Sequence, residues 1–195
     1  MRVVAGELRG RRIDAPDGDS TRPTTDKVRE AVFNALGSLG AVDDALAVDL
    51  FAGSGALGIE ALSRGASRCV FVENDRRALD VLRGNLESLG LGGQSAVVVV
   101  DLVRESSVGG SLRLRELLAD VTLVLADPPY GFSNWGEIFS AAESAAKDVV
   151  LVIETEARAA VHRDVPAGWK AVRTRDYGRT TVGFFTREEM KDGGS

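Results

Sequence analysis

The segment Asp127-Pro128-Pro129-Tyr130 places a carboxylate, a stiff bend and an aromatic ring in consecutive positions, directly after the apolar run VTLVLA. Proline holds φ near about −65° and donates no backbone hydrogen bond, so Pro128 and Pro129 make a rigid corner. Rigidity suits a site. An exocyclic amine on a base is a poor nucleophile because its lone pair is delocalised into the ring. The Asp127 carboxylate and the Pro128 carbonyl can accept its two hydrogens and favour the reactive pyramidal geometry. Tyr130 can stack on the base, which contributes about 1–3 kcal/mol in single-strand binders. The plainer reading is a proline-rich connector after a strand.

A second segment, Asp49-Leu-Phe-Ala-Gly53-Ser-Gly55-Ala-Leu-Gly58, falls where a strand ends and a helix begins. Only there does a GxGxxG pattern carry meaning. Gly53 and Gly55 permit a tight turn and close approach of a ligand to the backbone. Glu73 ends the next strand, 20 residues after Gly53, where a carboxylate can accept both hydroxyls of a ribose. The pair points to an adenosine-containing cofactor. Asp101 follows the third strand and can accept an adenine amine while the Asp101–Leu102 backbone reads the ring edge; a helix-capping aspartate is its other reading. Phe51, Ser54 and Asn74 lie in the same segments and are counted with the cofactor site.

A nicotinamide dinucleotide oxidoreductase shares the glycine fingerprint, but Asp49 projects a carboxylate into the loop. A pyrophosphate would be repelled there and a methionine ammonium attracted. An oxidoreductase also leaves Asp127–Tyr130 without a task. A sulfonium donor carries its own leaving group, so holding the reacting atoms about 3–3.5 Å apart supplies most of the acceleration. Neither a metal nor a covalent nucleophile is called for. With a single cysteine, Cys69, and a single histidine, His162, there is no His/Cys cluster of metal-ligand spacing. Cys69 reads as a buried strand residue and His162 as a surface one.

The elements that must carry these residues follow from the pattern. Strand-like runs at 45–51, 68–73, 95–100, 121–126 and 149–154 alternate with helical patterns at 56–64, 75–89, 111–119 and 136–147. That alternation predicts an α/β, mostly parallel sheet covered on both faces. ALAVDLF, SAVVVV, VTLVLA and VVLVIE are the continuous apolar runs of strands buried on both sides. Leu79, Leu82, Leu86 and Leu89 form the buried stripe of the second helix of this series. Ahead of it, a helix starting at Thr25 or Asp26 carries Val28, Ala31, Val32, Ala35 and Leu39 on one face. The runs 170–176 and 180–186, joined at Tyr177–Gly178–Arg179, are too close for a helical crossover and predict an antiparallel hairpin. A Rossmann-like seven-stranded sheet ending in such a hairpin is the layout of class I methyltransferases that use S-adenosylmethionine. Trp169 reads as core or rim of that hairpin, and Trp135 as packing or as the lining of a substrate mouth.

At 195 residues the chain is one ordinary domain with a short appendage, which excludes two independent enzymatic domains. With 44% hydrophobic residues it can bury a core without staples. The division expected is a basic β-hairpin arm and linker at 1–24, a methyltransferase domain at 25–190 and a tail at 191–195. A net charge of −5 argues against indiscriminate coating of nucleic acid. The first 13 residues nevertheless hold Arg2, Arg9, Arg11 and Arg12 against one Glu7. No apolar leader and no membrane-length stretch is visible, so a cytoplasmic protein is expected.

These residues resemble a known family. DLFAGSGALGIEALSRGA, Glu73 and DPPY look like the amino-methyltransferases acting on adenine N6 or guanine N2. More narrowly, RVVAGELRGRRIDAP followed by RPTTDKVREAVFNAL is similar to the RsmD family, bacterial 16S ribosomal RNA guanine-N2 methyltransferases. The likeness runs from Arg2 to the strand at 149–154 and weakens in VRESSVGGS and the tail. It implies S-adenosylmethionine held by Asp49, Gly53, Gly55, Glu73 and Asp101, and a guanine handled by Asp127–Tyr130. It also implies 16S rRNA, within an assembling small subunit, as partner. Arg22, Thr24 and Thr25 would border the site, although Pro23 and Thr25 are equally a helix start. Arg9, Arg11 and Arg12 fit phosphate contacts at its rim, or a solvated hairpin. Size favours a monomer. The motifs alone do not separate guanine N2 from adenine N6, on RNA or DNA, and a catalytically silent RNA-binding module needs only the hairpin.

Overall fold

The apolar runs become strands because their β-branched side chains pack on both faces of a pleated sheet. A computed structural model describes residues 1–16, 26–106, 111–157, 159, 161 and 164–188. Arg22, Thr24, Thr25 and His162 lie outside them. The sheet has seven strands in the order β3-β2-β1-β4-β5-β7-β6. These are β1 (Leu46–Leu50), β2 (Arg68–Glu73), β3 (Ser95–Val99), β4 (Leu123–Ala126), β5 (Val150–Glu156), β6 (Trp169–Tyr177) and β7 (Thr180–Arg187). The first five are parallel, and the β6–β7 hairpin adds antiparallel to β5. The fold is therefore the Rossmann-like α/β sheet of class I methyltransferases.

Helices α1 (Asp26–Ser38), α2 (Ala56–Ser63) and α3 (Arg76–Leu89) cover one face, where Leu36, Ile59 and Leu82 pack with Phe71 and Leu125. Helices α4 (Leu102–Glu105), α5 (Leu112–Leu118) and α6 (Trp135–Ala142) cover the other, where Leu114, Ile138 and Phe139 meet Val48, Val124 and Phe185. The α3 stripe is buried as expected. Its ends are set by the Asp75 side chain, which accepts the Ala78 amide, and by left-handed Gly90. Among the described residues no helix is long and apolar enough to cross a membrane.

Several expectations are corrected. Leu39 is 42% exposed, because α1 stops at Ser38 and the chain turns away before another residue can face the core. The run SAVVVV is not covered on both sides: β3 is an edge strand, and its Ala96 and Val99 are exposed. A short helix, α4, stands between the third strand and the helical pattern at 111–119, where the sequence predicts none, and α6 ends at Ala142, short of residue 147.

The N-terminal hairpin closes through one bridge, Arg2 with Arg12, rather than two full strands. It is also no free arm. Val3 and Ile13 are buried in the core, and the glycine at position 6 comes so close to α2 that an added Cβ would fall 1.7 Å from the Ser63 carbonyl oxygen. Buried Glu60, in α2, accepts the Val4 amide at 2.8 Å and the Ala5 amide at 3.0 Å. Buried Arg29, in α1, donates to the Arg2 carbonyl at 2.5 Å and to Asp26 at 2.8 Å, and its Nε lies 3.5 Å from Glu60. Arg64 completes the group with a 2.7 Å bond to Glu60.

Candidate active site

In the strand order β1 and β4 lie side by side, and the direction of winding reverses between them. The carboxyl ends of strands open a crevice at such a point. Here the crevice is a cleft of about 900 Å³, lined by the glycine loop, the ends of β2 and β5, the Val100–Val103 segment and the Asp127–Ser133 bend. Of the described residues in the N-terminal segment, Met1, Ala15 and Pro16 reach it; Arg9, Arg11 and Arg12 are exposed on the hairpin outside.

The three glycines of the loop do different jobs. At Gly53 (φ +55°) an added side chain would meet nothing within 4 Å, so this backbone faces open space. At Gly58 a Cβ would fall 2.3 Å from the Phe71 ring and 2.7 Å from Cys69 Sγ, so glycine there lets α2 lie against β2. Gly55 (φ +81°) opens the helix. Asp49 is buried, and its carboxylate accepts the Gly58 amide at 2.8 Å. Burial pushes its pKa up to about 8, the Gly58 bond pulls down, and the Glu73 charge pushes up again. Burial likewise raises the Cys69 thiol, helped by the nearby Asp49 charge, so it stays protonated.

Glu73 spans the two loops. One carboxylate oxygen accepts the Gly53 amide at 2.8 Å, and the other accepts the Asn74 and Asp75 amides at 2.7 and 2.9 Å. Asp101 caps α4 by accepting the Arg104 amide at 3.1 Å while also lining the cleft. Phe51 adopts a left-handed φ of +62°, a conformation that costs energy for a bulky residue. It packs edge-on to Phe132 at 5.2 Å, which in turn meets Trp135 at 4.7 Å. Trp135 is thus both packed and part of the lining. Asp127 and Pro128 are half-buried, Pro129 is exposed, and the Tyr130 ring stands 64% exposed at the cleft.

The lining is strongly acidic. Among the described residues, Glu73, Asp75, Asp101, Asp127, Glu154 and Glu156, with the high-pKa Asp49, face it against the Arg77 guanidinium and the Met1 terminus. Such a field favours a ligand with net positive charge and disfavours a pyrophosphate. Among the described residues no group of His, Cys, Asp and Glu is arranged to hold a metal ion.

Sequence reading missed Asn85. Its side-chain nitrogen donates to the Ser54 and Asp14 carbonyls, both at 2.9 Å, and its oxygen accepts the Asp14 amide at 2.9 Å. One buried amide therefore ties the glycine loop to the N-terminal segment. The available signal was an asparagine three residues after Leu82, on an otherwise leucine-lined stripe.

Residues 1–186 match the family described as conserved hypothetical protein 95. Ribosomal RNA small subunit methyltransferase D of Escherichia coli is 32% identical over 191 residues, covering 96% of this chain and 90% of that protein. YlbH of Bacillus subtilis is 52% identical over 91 residues, and there the match spans 47% of this chain and about half, 48%, of the relative. Among solved structures, the yhhF protein of Escherichia coli superposes with a TM-score of 0.78 at 32% identity, covering 97% of this chain and 99% of that one. A hypothetical protein of Thermus thermophilus follows with a TM-score of 0.74 at 25% identity, covering 94% and 98%. The chain belongs to the conserved hypothetical protein 95 family, the RsmD family that its N-terminal segments and its glycine loop resemble.

Proposed function

We propose that this protein methylates the exocyclic N2 amine of one guanine in 16S rRNA of the small ribosomal subunit. It belongs with the rRNA methyltransferases, and S-adenosylmethionine is its methyl donor. The observation that carries the reading is the shared cleft: the glycine loop, Glu73 and the Asp127–Tyr130 bend all line one acidic volume. The fit to the donor rests on this chain's own residues. The Gly53 backbone faces open space, and the carboxylate lining suits a sulfonium and an ammonium on one ligand.

When bound, S-adenosylmethionine supplies an activated methyl group and its own leaving group. Asp49 would hold the ammonium end, Glu73 a ribose hydroxyl, and the Asp101–Leu102 segment the adenine edge; Phe51, Ser54 and Asn74 line the same half. The target guanine is extruded from its stack and lies against Tyr130. Asp127 and the Pro128 carbonyl accept the two N2 hydrogens, while Pro129 keeps the corner stiff. The donor would supply the methyl group and leave with its own sulfur, and the proton the amine gives up would pass to Asp127 or to water. Arg9, Arg11 and Arg12 hold phosphates at the rim, with Arg22 and Thr24 closer to the site. The setting is the cytoplasm, on an assembling particle, with the enzyme as a monomer.

Labelled S-adenosylmethionine, undermethylated 16S rRNA or small subunits, and digestion to nucleosides test the reading. Label in N2-methylguanosine is expected. Label in N6-methyladenosine would replace guanine by adenine, and no transfer to either would refute the assignment.

A further inference from the structure

The strand register places a second carboxylate beside Asp127. Strands β4 and β5 are parallel, with Leu125 opposite Val152 and Ala126 opposite Ile153. The next residue of the one chain is Asp127, and of the other Glu154. Adjacent strands lie about 4.8 Å apart, Asp127 leaves the end of β4 beside β5, and both residues line the cleft. Glu154 is only 4% exposed, so bulk water competes little for its oxygens.

Guanine carries two donors side by side on one edge, the N1–H and the N2 amine. Adenine presents at the equivalent edge an amine next to a bare N1 lone pair. A single carboxylate on the amine cannot tell these apart, which is why the Asp-Pro-Pro-Tyr motif suits both. A second carboxylate next to it can, because it accepts N1–H from guanine and meets a repelling lone pair on adenine. We infer that Glu154 is the base-discriminating residue: it accepts the guanine N1–H while Asp127 and Pro128 hold the N2 amine. The inference rests on the guanine-N2 reading above.

A substrate analogue tests it on the unaltered enzyme. 2,6-Diaminopurine keeps the N2 amine but replaces N1–H by a lone pair. A 16S rRNA carrying it at the methylated position, made by splinted ligation, is compared with the guanine RNA for methyl transfer and for binding in the presence of S-adenosylhomocysteine. A preference for guanine of about 10–100-fold is expected in both measurements, because a site built around a donor rejects the analogue lacking it. Equal methylation of the two RNAs would overturn the role of Glu154 while leaving N2 methylation standing. In Glu154→Gln the side-chain amide can accept from N1–H or donate to a bare N1, so the preference should shrink to within a few-fold with S-adenosylhomocysteine affinity unchanged. A Gln variant that binds S-adenosylhomocysteine normally yet keeps the full preference would also overturn it. If the nucleoside products carry the label on adenine, the underlying reading fails, and product identity separates that failure from the others.

Discussion

Glu73 reaches the Gly53 amide at 2.8 Å, so the end of β2 holds the glycine loop of β1 in place across 20 residues of sequence. Because its other oxygen accepts the Asn74 and Asp75 amides, both oxygens act as acceptors. A carboxylate has about four lone-pair sites, and with three amides bound about one is left, enough for one ribose hydroxyl. Glutamine cannot replace it, since its NH2 would oppose one set of amides. Glu73→Gln is expected to weaken S-adenosylhomocysteine binding about 10–100-fold, read by calorimetric titration; affinity within a factor of two of wild type would remove Glu73 from the cofactor site.

Asp49 links cofactor binding to pH. Its pKa is raised from 3.8 to about 8, so between those values the folded protein binds a proton that the unfolded chain has released. This contribution to stability is present at low pH and is lost as pH rises toward 8, by at most about 1.4 kcal/mol per unit. Asp49→Asn keeps an acceptor for the Gly58 amide and should flatten that slope in urea unfolding between pH 5 and 8. A ligand ammonium favours the ionised carboxylate, so wild-type affinity for S-adenosylhomocysteine should rise with pH across the same window and that of the Asn variant should not. Parallel pH profiles for the two proteins would contradict the contact.

Asp127→Ala removes the carboxylate that would accept from the amine. Turnover should fall by at least about 100-fold, the usual loss when a positioned proton acceptor is removed, with cofactor affinity unchanged. Single-turnover transfer at the wild-type rate would refute its role.

The N-terminal hairpin depends on Glu60. This buried carboxylate accepts two hairpin amides and lies against two arginines, one of them, Arg29, fully buried. Glu60→Ala leaves the Val4 and Ala5 amides and Arg64 Nε without their acceptor and removes one of the two carboxylates that face Arg29, the other being Asp26; it should cost about 3–5 kcal/mol, measured as a lower urea midpoint. A loss below about 1 kcal/mol, the range of an exposed ion pair, would mean the hairpin is held by its apolar contacts alone.

Deleting residues 1–13 is a poor probe of RNA binding, because it strips Val3 and Ile13 from the core. The exposed side chains can be changed without that damage. Replacing Arg9, Arg11 and Arg12 by glutamine should weaken rRNA binding and flatten its salt dependence by about 0.7–0.9 in log–log slope for each phosphate no longer neutralised. The melting temperature should stay close to wild type. An unchanged slope would take the hairpin out of the RNA interface.

The parts of the protein written in its sequence are those governed by neighbours along the chain. Apolar periodicity marks α3 and four of the five parallel strands, glycine spacing marks the loop between β1 and α2, and two prolines mark the corner after β4. Each depends on turn chemistry or on which face a residue occupies, and both are local. Coverage is not local. Nothing in SAVVVV says that β3 has a neighbour on one side only, and the helical spacing that sets Leu39 on the buried face of α1 runs one residue past the end of the helix at Ser38. The same holds for the contacts that build the cleft. Glu73 on the Gly53 amide and Asn85 between Ser54 and Asp14 each join residues about 20 to 70 positions apart. They exist because the winding reverses between β1 and β4 and brings the carboxyl ends of separate strands to one edge, a choice made by packing across the whole sheet.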